Sequence, residues 1–265
     1  MTLRRAIVRI GVVAGLVAAL LVAGAVNGVG PLARVPPPSE VSDPREMLAR
    51  SLQALIDASS VHVEASLRGQ VPGSLVGRQD PTVPVEGTAV SLDLRPQDAR
   101  SHLLLGSPTL GIGLEAITSW DTMAYRRAAG PWVTGSLGSV VAGTGIDADP
   151  LTLVGRVRTW LAQPGAPTPV ATDVRCDAAS GTCRRVSVSL GRSAGDALLA
   201  AIAGSGGASV GATSTDLVLE TDAATLRPAH LVVTTRNADG SLALTLRVDC
   251  SAWDAPSVIA DPPSG

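Results

Sequence analysis

Gly191-Arg192-Ser193-Ala194-Gly195 is the one run in this chain whose residue types and spacing match a nucleophile motif. In a G-x-S-x-G elbow, a serine on a sharp strand-to-helix turn is activated by a histidine base. Only His230 follows it in chain order, and no His-Gly-Gly oxyanion run precedes it. An elbow also follows a buried parallel strand, normally a continuous apolar run. Here Val186, Val188 and Leu190 alternate with Arg185, Ser187 and Ser189. Ser193 therefore reads as a helix cap, with Asp196 in the first turn. A serine hydrolase using Ser193 ranks third among the readings.

The remaining reactive side chains are few. The three histidines, His62, His102 and His230, two of them in strand patterns, show no i, i+2 or i, i+4 ligand pair, so they read as surface or turn residues. No metal site, phosphate-binding glycine run or cofactor is expected, and Asp121 and Asp222 belong to turns. Cys176 and Cys183 stand on either side of a short turn. In an exported chain the pair forms a cross-hairpin disulfide, whose short loop makes a modest contribution of about 2–3 kcal/mol. Cys250, assigned to the Arg247/Asp249 side of the last strand's end, is left as a buried free thiol.

Export itself is read from the N-terminus. Arg4, Arg5 and Arg9 precede an uncharged apolar run from Ile10, with Ala23-Gly24-Ala25 as an A-x-A site. The run continues to Ala33, so residues 1–30 are either a cleaved signal peptide or an anchor long enough to span a bilayer. Residues 31–43, with Pro36-Pro37-Pro38, form a stiff extended spacer. The protein is expected outside the cytoplasm, secreted or anchored at the outer face of the membrane. A formal net charge of −2 argues against nucleic acid, which needs a basic surface. Losing Arg4, Arg5 and Arg9 makes the remainder more acidic still.

A chain of 265 residues is ample for one sizeable core, assigned to 44–265. Asp43-Pro44-Arg45-Glu46 opens a helix with a cap, a proline at its first position and a capping box. Met47, Leu48, Leu52, Leu55 and Ile56 form its apolar stripe. Further helices are expected from Asp149-Pro150 and over 194–203. Between them the pattern has a period of two, as in Val61-His62-Val63-Glu64-Ala65 or Leu242, Leu244, Leu246 and Val248. Near ten strands joined by short turns, with about three helices, give an α+β domain whose antiparallel sheet must curl.

The C-terminal part resembles a known family. Asp222-x-x-Thr225-x-x-Pro228, a strand, the turn Asn237-Ala238-Asp239-Gly240, a strand, and Trp253-x-x-Pro256-x-x-Ile259-x-x-Pro262 are similar to the LolA-like envelope proteins. Within them the chain looks most like the actinobacterial LppX/LprG lipoproteins, whose mid-chain hairpin resembles Tyr125 to Trp132. The likeness covers roughly Pro44 to Pro262. It implies a half-barrel sheet with helices in its concave face, enclosing a site for a lipid or acyl chain. The expected lining is Val63, Leu67, Val90, Leu92, Val188, Leu219, Leu244 and Leu246. The alternative is an interaction or sensor module of the same fold with a packed core, and neither reading is catalytic.

One departure has a consequence. Val22-Ala23-Gly24 resembles a lipobox, but Ala25 stands where the acylated cysteine would be. The host should therefore incorporate no radiolabelled fatty acid into this protein, and N-terminal acylation would overturn that expectation.

Overall fold

The computed structural model describes residues 41–72, 79–136, 169–176, 182–195, 213–239 and 242–263. The N-terminal segment, the helix expected from Asp149 and nearly all of the one expected over 194–203 lie outside them. Helix α1, Pro44–Asp57, starts as the sequence dictates: the Asp43 carboxylate accepts the Arg45 N–H at 3.0 Å. Glu46, expected to close a capping box, bonds forward to Arg50 Nε at 2.8 Å. Beyond α1, the described helical structure is two single 3-10 turns, at Pro96–Asp98 and Pro108–Leu110, and a stretch at 192–195.

Twelve strands form one antiparallel sheet. They are β1 Val61–Pro72, β2 Thr82–Pro84, β3 Thr88–Arg95, β4 Arg100–Ser107, β5 Ile112–Ser119, β6 Thr122–Arg127 and β7 Val133–Ser136, then β8 Val170–Arg175, β9 Thr182–Gly191, β10 Ser214–Asp222, β11 Pro228–Arg236 and β12 Leu242–Ser251. The expectation of near ten falls short by β2 and β7. Three and four residues long, they are too short to show a period, and β2 lies in a stretch rich in Pro and Gly. Spatial order is β7-β6-β5-β4-β3-β1-β12-β11-β10-β9-β8, with β2 paired to the end of β1.

Register sorts the side chains into two faces. Val63 is level with Leu92, Ala65 with Val90 and Val248, and Leu67 with Leu246. On this apolar face Leu55 of α1 packs with Val63, Val90, Leu92, Leu94 and Val248. Met47 and Leu48 pack with Val186, Val188, Leu190 and Leu219. A third cluster joins Leu67, Val71, Val83, Val85 and Leu244. Cys250 lies here too, level with Val63, and not on the Arg247/Asp249 side. Adjacent strand residues point to opposite faces, so a cysteine next to Asp249 cannot share its side. Burial pushes its thiol up to about 12, with the Asp249 charge adding to the effect.

The two halves of the chain meet in the sheet along β1 and β12. The polypeptide after β12 then crosses the strand ends. The Asp254 carboxylate accepts the Ser59 N–H and hydroxyl at 2.8 and 2.9 Å and pairs with Arg227, and these bonds hold it below the ordinary carboxylate range. Arg95 and Arg100 donate to the carbonyls of Ser257 and Ile259. At the seam, Gly69 has a φ of +114°, and a Cβ there would stand 2.3 Å from the Ala243 carbonyl oxygen. Gly69→Ala should therefore cost on the order of 3 kcal/mol or more in urea unfolding. Gly106→Ala, whose Cβ meets nothing within 4 Å, should stay within about 1 kcal/mol of the parent. Equal stability of the two variants would refute the seam's dependence on Gly69.

Candidate functional site

The eight expected lining residues share the apolar face. Seven are buried: Val63, Val90 and Leu92 in the first cluster, Val188 and Leu219 in the second, Leu67 and Leu244 in the third. Leu246 is only partly buried, and its neighbours share that state. Leu217, Val233 and Leu246 are level across β10, β11 and β12, with Leu231 in the next row. All four are only partly buried although they point to the same side as the core. Farther along this face Leu103, Ile112 and Leu114 are only partly buried as well. The apolar face is thus closed where α1 lies and incompletely covered beside it.

The opposite face carries charge. All three histidines stand there, in strands and not in turns, each bonded to a carboxylate of a neighbouring strand. His62 Nδ1 lies 2.7 Å from Asp93 Oδ1, His102 Nε2 3.0 Å from Glu115 Oε1, and His230 Nδ1 2.7 Å from Asp249 Oδ1. Arg126 and Arg247 reinforce Glu115 and Asp249 at 2.7 and 2.9 Å. Arg185 bonds at 2.8 Å to Glu220, whose side chain is 5% exposed. Apart from Arg247 and Asp249, which are neighbours on one face of β12, the partners come from different strands, so strand register brings them together. Among the described residues no cluster of three or more His, Cys, Asp or Glu could hold a metal ion.

Cys176 and Cys183 are joined in a disulfide, with Cα atoms 5.0 Å apart. Ser193 is exposed and lies inside the helical stretch that begins at 192, so it is not the residue that precedes the helix. Gly191 is level with Ser214, whereas His230 is level with Glu220, six residues along β10. That places His230 roughly 20 Å from Ser193. The geometry does not assemble the expected serine–histidine pair.

No protein-family model and no curated protein sequence matches the chain. Among solved structures, it is similar to the crystal structure of the Mycobacterium tuberculosis lipoprotein LppX. The match has a TM-score of 0.50 and 12% identity, and covers 82% of this chain and 98% of that one. The chain shares the fold of LppX. A second structure, an uncharacterized conserved protein from Thermus thermophilus, matches with a TM-score of 0.36 and 11% identity, over 78% of this chain and 85% of that one. At 12% identity the likeness to LppX concerns the fold, which here consists of a long antiparallel sheet with one apolar and one charged face.

The charged face makes stability depend on pH. Burial opposes protonation of His62, but the hydrogen bonds and charges of Asp93 and Glu64 outweigh it and raise its pKa. Its stabilising effect is present below the unfolded value, about 6.5, and is lost as pH rises through the folded one. Hydrogen bonds from His102 and Arg126 lower Glu115, and those from Arg247 and His230 lower Asp249 against the effect of burial. Those contributions are present above about pH 4.5 and fade in more acidic solution. Chemical unfolding should therefore show greater stability at pH 5.5 than at pH 8, and His62→Gln should flatten that difference. An unchanged slope in His62→Gln would rule out His62 as its source.

Proposed function

We propose that this protein is a non-catalytic extracytoplasmic domain that holds a lipid or acyl chain against the partly buried strip of its apolar sheet face. The observation that carries the reading is the strip itself: Leu217, Leu231, Val233 and Leu246 remain only partly buried beside the closed clusters of the same face. A 14-residue helix is about 21 Å long, whereas the ladder from β7 to β8 is roughly 50 Å across. The LppX fold supports the same reading, because the LolA-like resemblance implies an acyl-chain site on this face. The Cys176–Cys183 disulfide fits an oxidising, extracytoplasmic setting. Envelope lipid or lipoprotein transport is the role such a site would serve, with the membrane reached through the N-terminal segment if that segment stays uncleaved.

Energetically, each buried methylene contributes about 0.8 kcal/mol before association and ordering costs. Ten would give on the order of 8 kcal/mol gross, enough for useful affinity. A second reading, an interaction or sensor module with a packed core, is favoured by the burial of seven of the eight residues first expected to line the site.

Native mass spectrometry of the protein purified from its host, followed by solvent extraction, separates the two. A carrier should show adducts of lipid mass that are lost in Leu246→Arg and Leu217→Glu variants of native circular dichroism, because an unpaired charge in that strip is costly. Adduct-free protein, also after incubation with phospholipid vesicles, would favour the packed module.

A further inference from the structure

The charged face contains an open groove of about 600 Å³, separate from the apolar strip. Its rim follows one cross-sheet row, in which Glu115, Leu104, Ser91, Glu64 and Asp249 are level across β5, β4, β3, β1 and β12. Between β1 and β5 it is about 14 Å long, three strand spacings. Gly106 and Gly113 leave its floor low, and a Cβ at Gly106 would enter empty space. Leu104, 44% exposed, gives it an apolar wall.

Three carboxylates line the groove, and each lies beside one of the chain's three histidines. Glu64 is near His62, Glu115 is bonded to His102 and Asp249 to His230. Glu115 and Asp249 are also held by Arg126 and Arg247. Glu64 differs from them, with a 70% exposed side chain and His62 Nε2 at 3.5 Å. Asp93, on the other side of His62, adds a fourth carboxylate. These four face two guanidiniums, so the surroundings carry a net charge of two negatives while the imidazoles are neutral. Protonation of all three histidines turns that into one net positive. Arg68 stands farther along β1 on the same side, and the Arg185–Glu220 pair lies beyond His230.

We propose that this groove binds a small primary amine or guanidinium compound with an apolar body, and that protonation of the surrounding histidines releases it. The cationic N–H groups would donate to Glu64 at the β1 end, and the apolar body would lie over the glycines against Leu104. Ammonium and guanidinium groups suit the site because they bring both the positive charge and the donors that a carboxylate accepts. His62, raised above its ordinary value by Asp93 and Glu64 against the effect of burial, takes up its charge as the medium acidifies. The site lies on the face opposite the acyl-chain strip, so this inference does not rest on the lipid reading.

The test uses the full chain, ¹⁵N-labelled as its host exports it, titrated with hexylammonium chloride and, as a control of the same shape, sodium hexanoate. At pH 7.5 hexylammonium should shift the amides of Ser66, Ala89, Gly106 and Gly113, and hexanoate should not. Its Kd should weaken at least tenfold at pH 5.0. Glu64→Gln should weaken binding tenfold or more at pH 7.5, and Gly106→Leu, which fills the floor, should abolish it. Equal binding of hexanoate, pH-independent binding, or shifts confined to the Leu217–Leu246 strip would overturn the proposal. So would a basic peptide that binds where hexylammonium does not, since it would make the groove a protein-docking surface.

Discussion

The architecture depends on the pairing of β1 with β12. Strands β1 to β7 and β8 to β12 are each built from sequence-local hairpins, but β1 and β12 lie at opposite ends of the domain. Joining them closes the chain from His62 to Ser251, and the entropy of that closure must be offset by what the seam buries. Ala65 and Val248 are both buried there, and Leu246 comes level with Leu67. Backbone contact at Gly69 is so close that only glycine fits opposite Ala243. The Asp254 clip to Ser59 adds a second fastening at the start of β1, and Arg227 ties that clip to the β10–β11 turn.

A seam fixed in this way also fixes what each face can do. Side-chain direction alternates, so a slip of one residue in β1·β12 would exchange the two faces of half the sheet. Val63, Ala65 and Leu67 would go to water, and His62, Glu64 and Ser66 would enter the core. The cross-strand ion pairs oppose that slip more than they add stability. Exposed pairs contribute from nothing to about 1 kcal/mol each. Glu220 is the exception, since its nearly buried carboxylate would be left uncompensated if register moved Arg185 away. The ionic rows act as register marks, and the apolar rows supply the driving force.

The same period of two explains how much of the fold was legible in the sequence. Long alternating runs such as Val61–Arg68 and Leu242–Val248 show themselves, as does the Asp43 cap, because their signals are local. The Asx turn is local too: Asp222 accepts the Ala224 and Thr225 N–H groups in the segment that carried the family likeness. Strands β2 and β7 lack the length to alternate. The histidine–carboxylate pairs were hidden for another reason, since their members are 31, 13 and 19 residues apart. Parity offered a partial signal, as His62 and Glu64 fall on one side of β1 and Asp93 on the polar side of β3. What parity lacks is register, and register comes from turns and the seam. Parity alone would have placed Cys250 correctly, opposite Asp249.

The apolar face reconciles the two functional readings in physical terms. The chain has no Phe and one Tyr, so this face is built almost wholly of Val, Leu, Ile and Ala. Such side chains pack densely only where a second layer meets them, and α1 supplies that layer over Val63, Leu92, Val188 and Leu190. Those positions are closed, and a ligand could enter there only by displacing α1. Around Leu217, Val233 and Leu246 the same short side chains end without full cover, and none is long enough to fold over its neighbours. Packed core and proposed binding strip are therefore adjoining parts of one face, divided, among the described residues, by the reach of α1. Lengthening the side chains of the strip would close it from within, whereas shortening those beneath α1 would loosen the core without enlarging the strip.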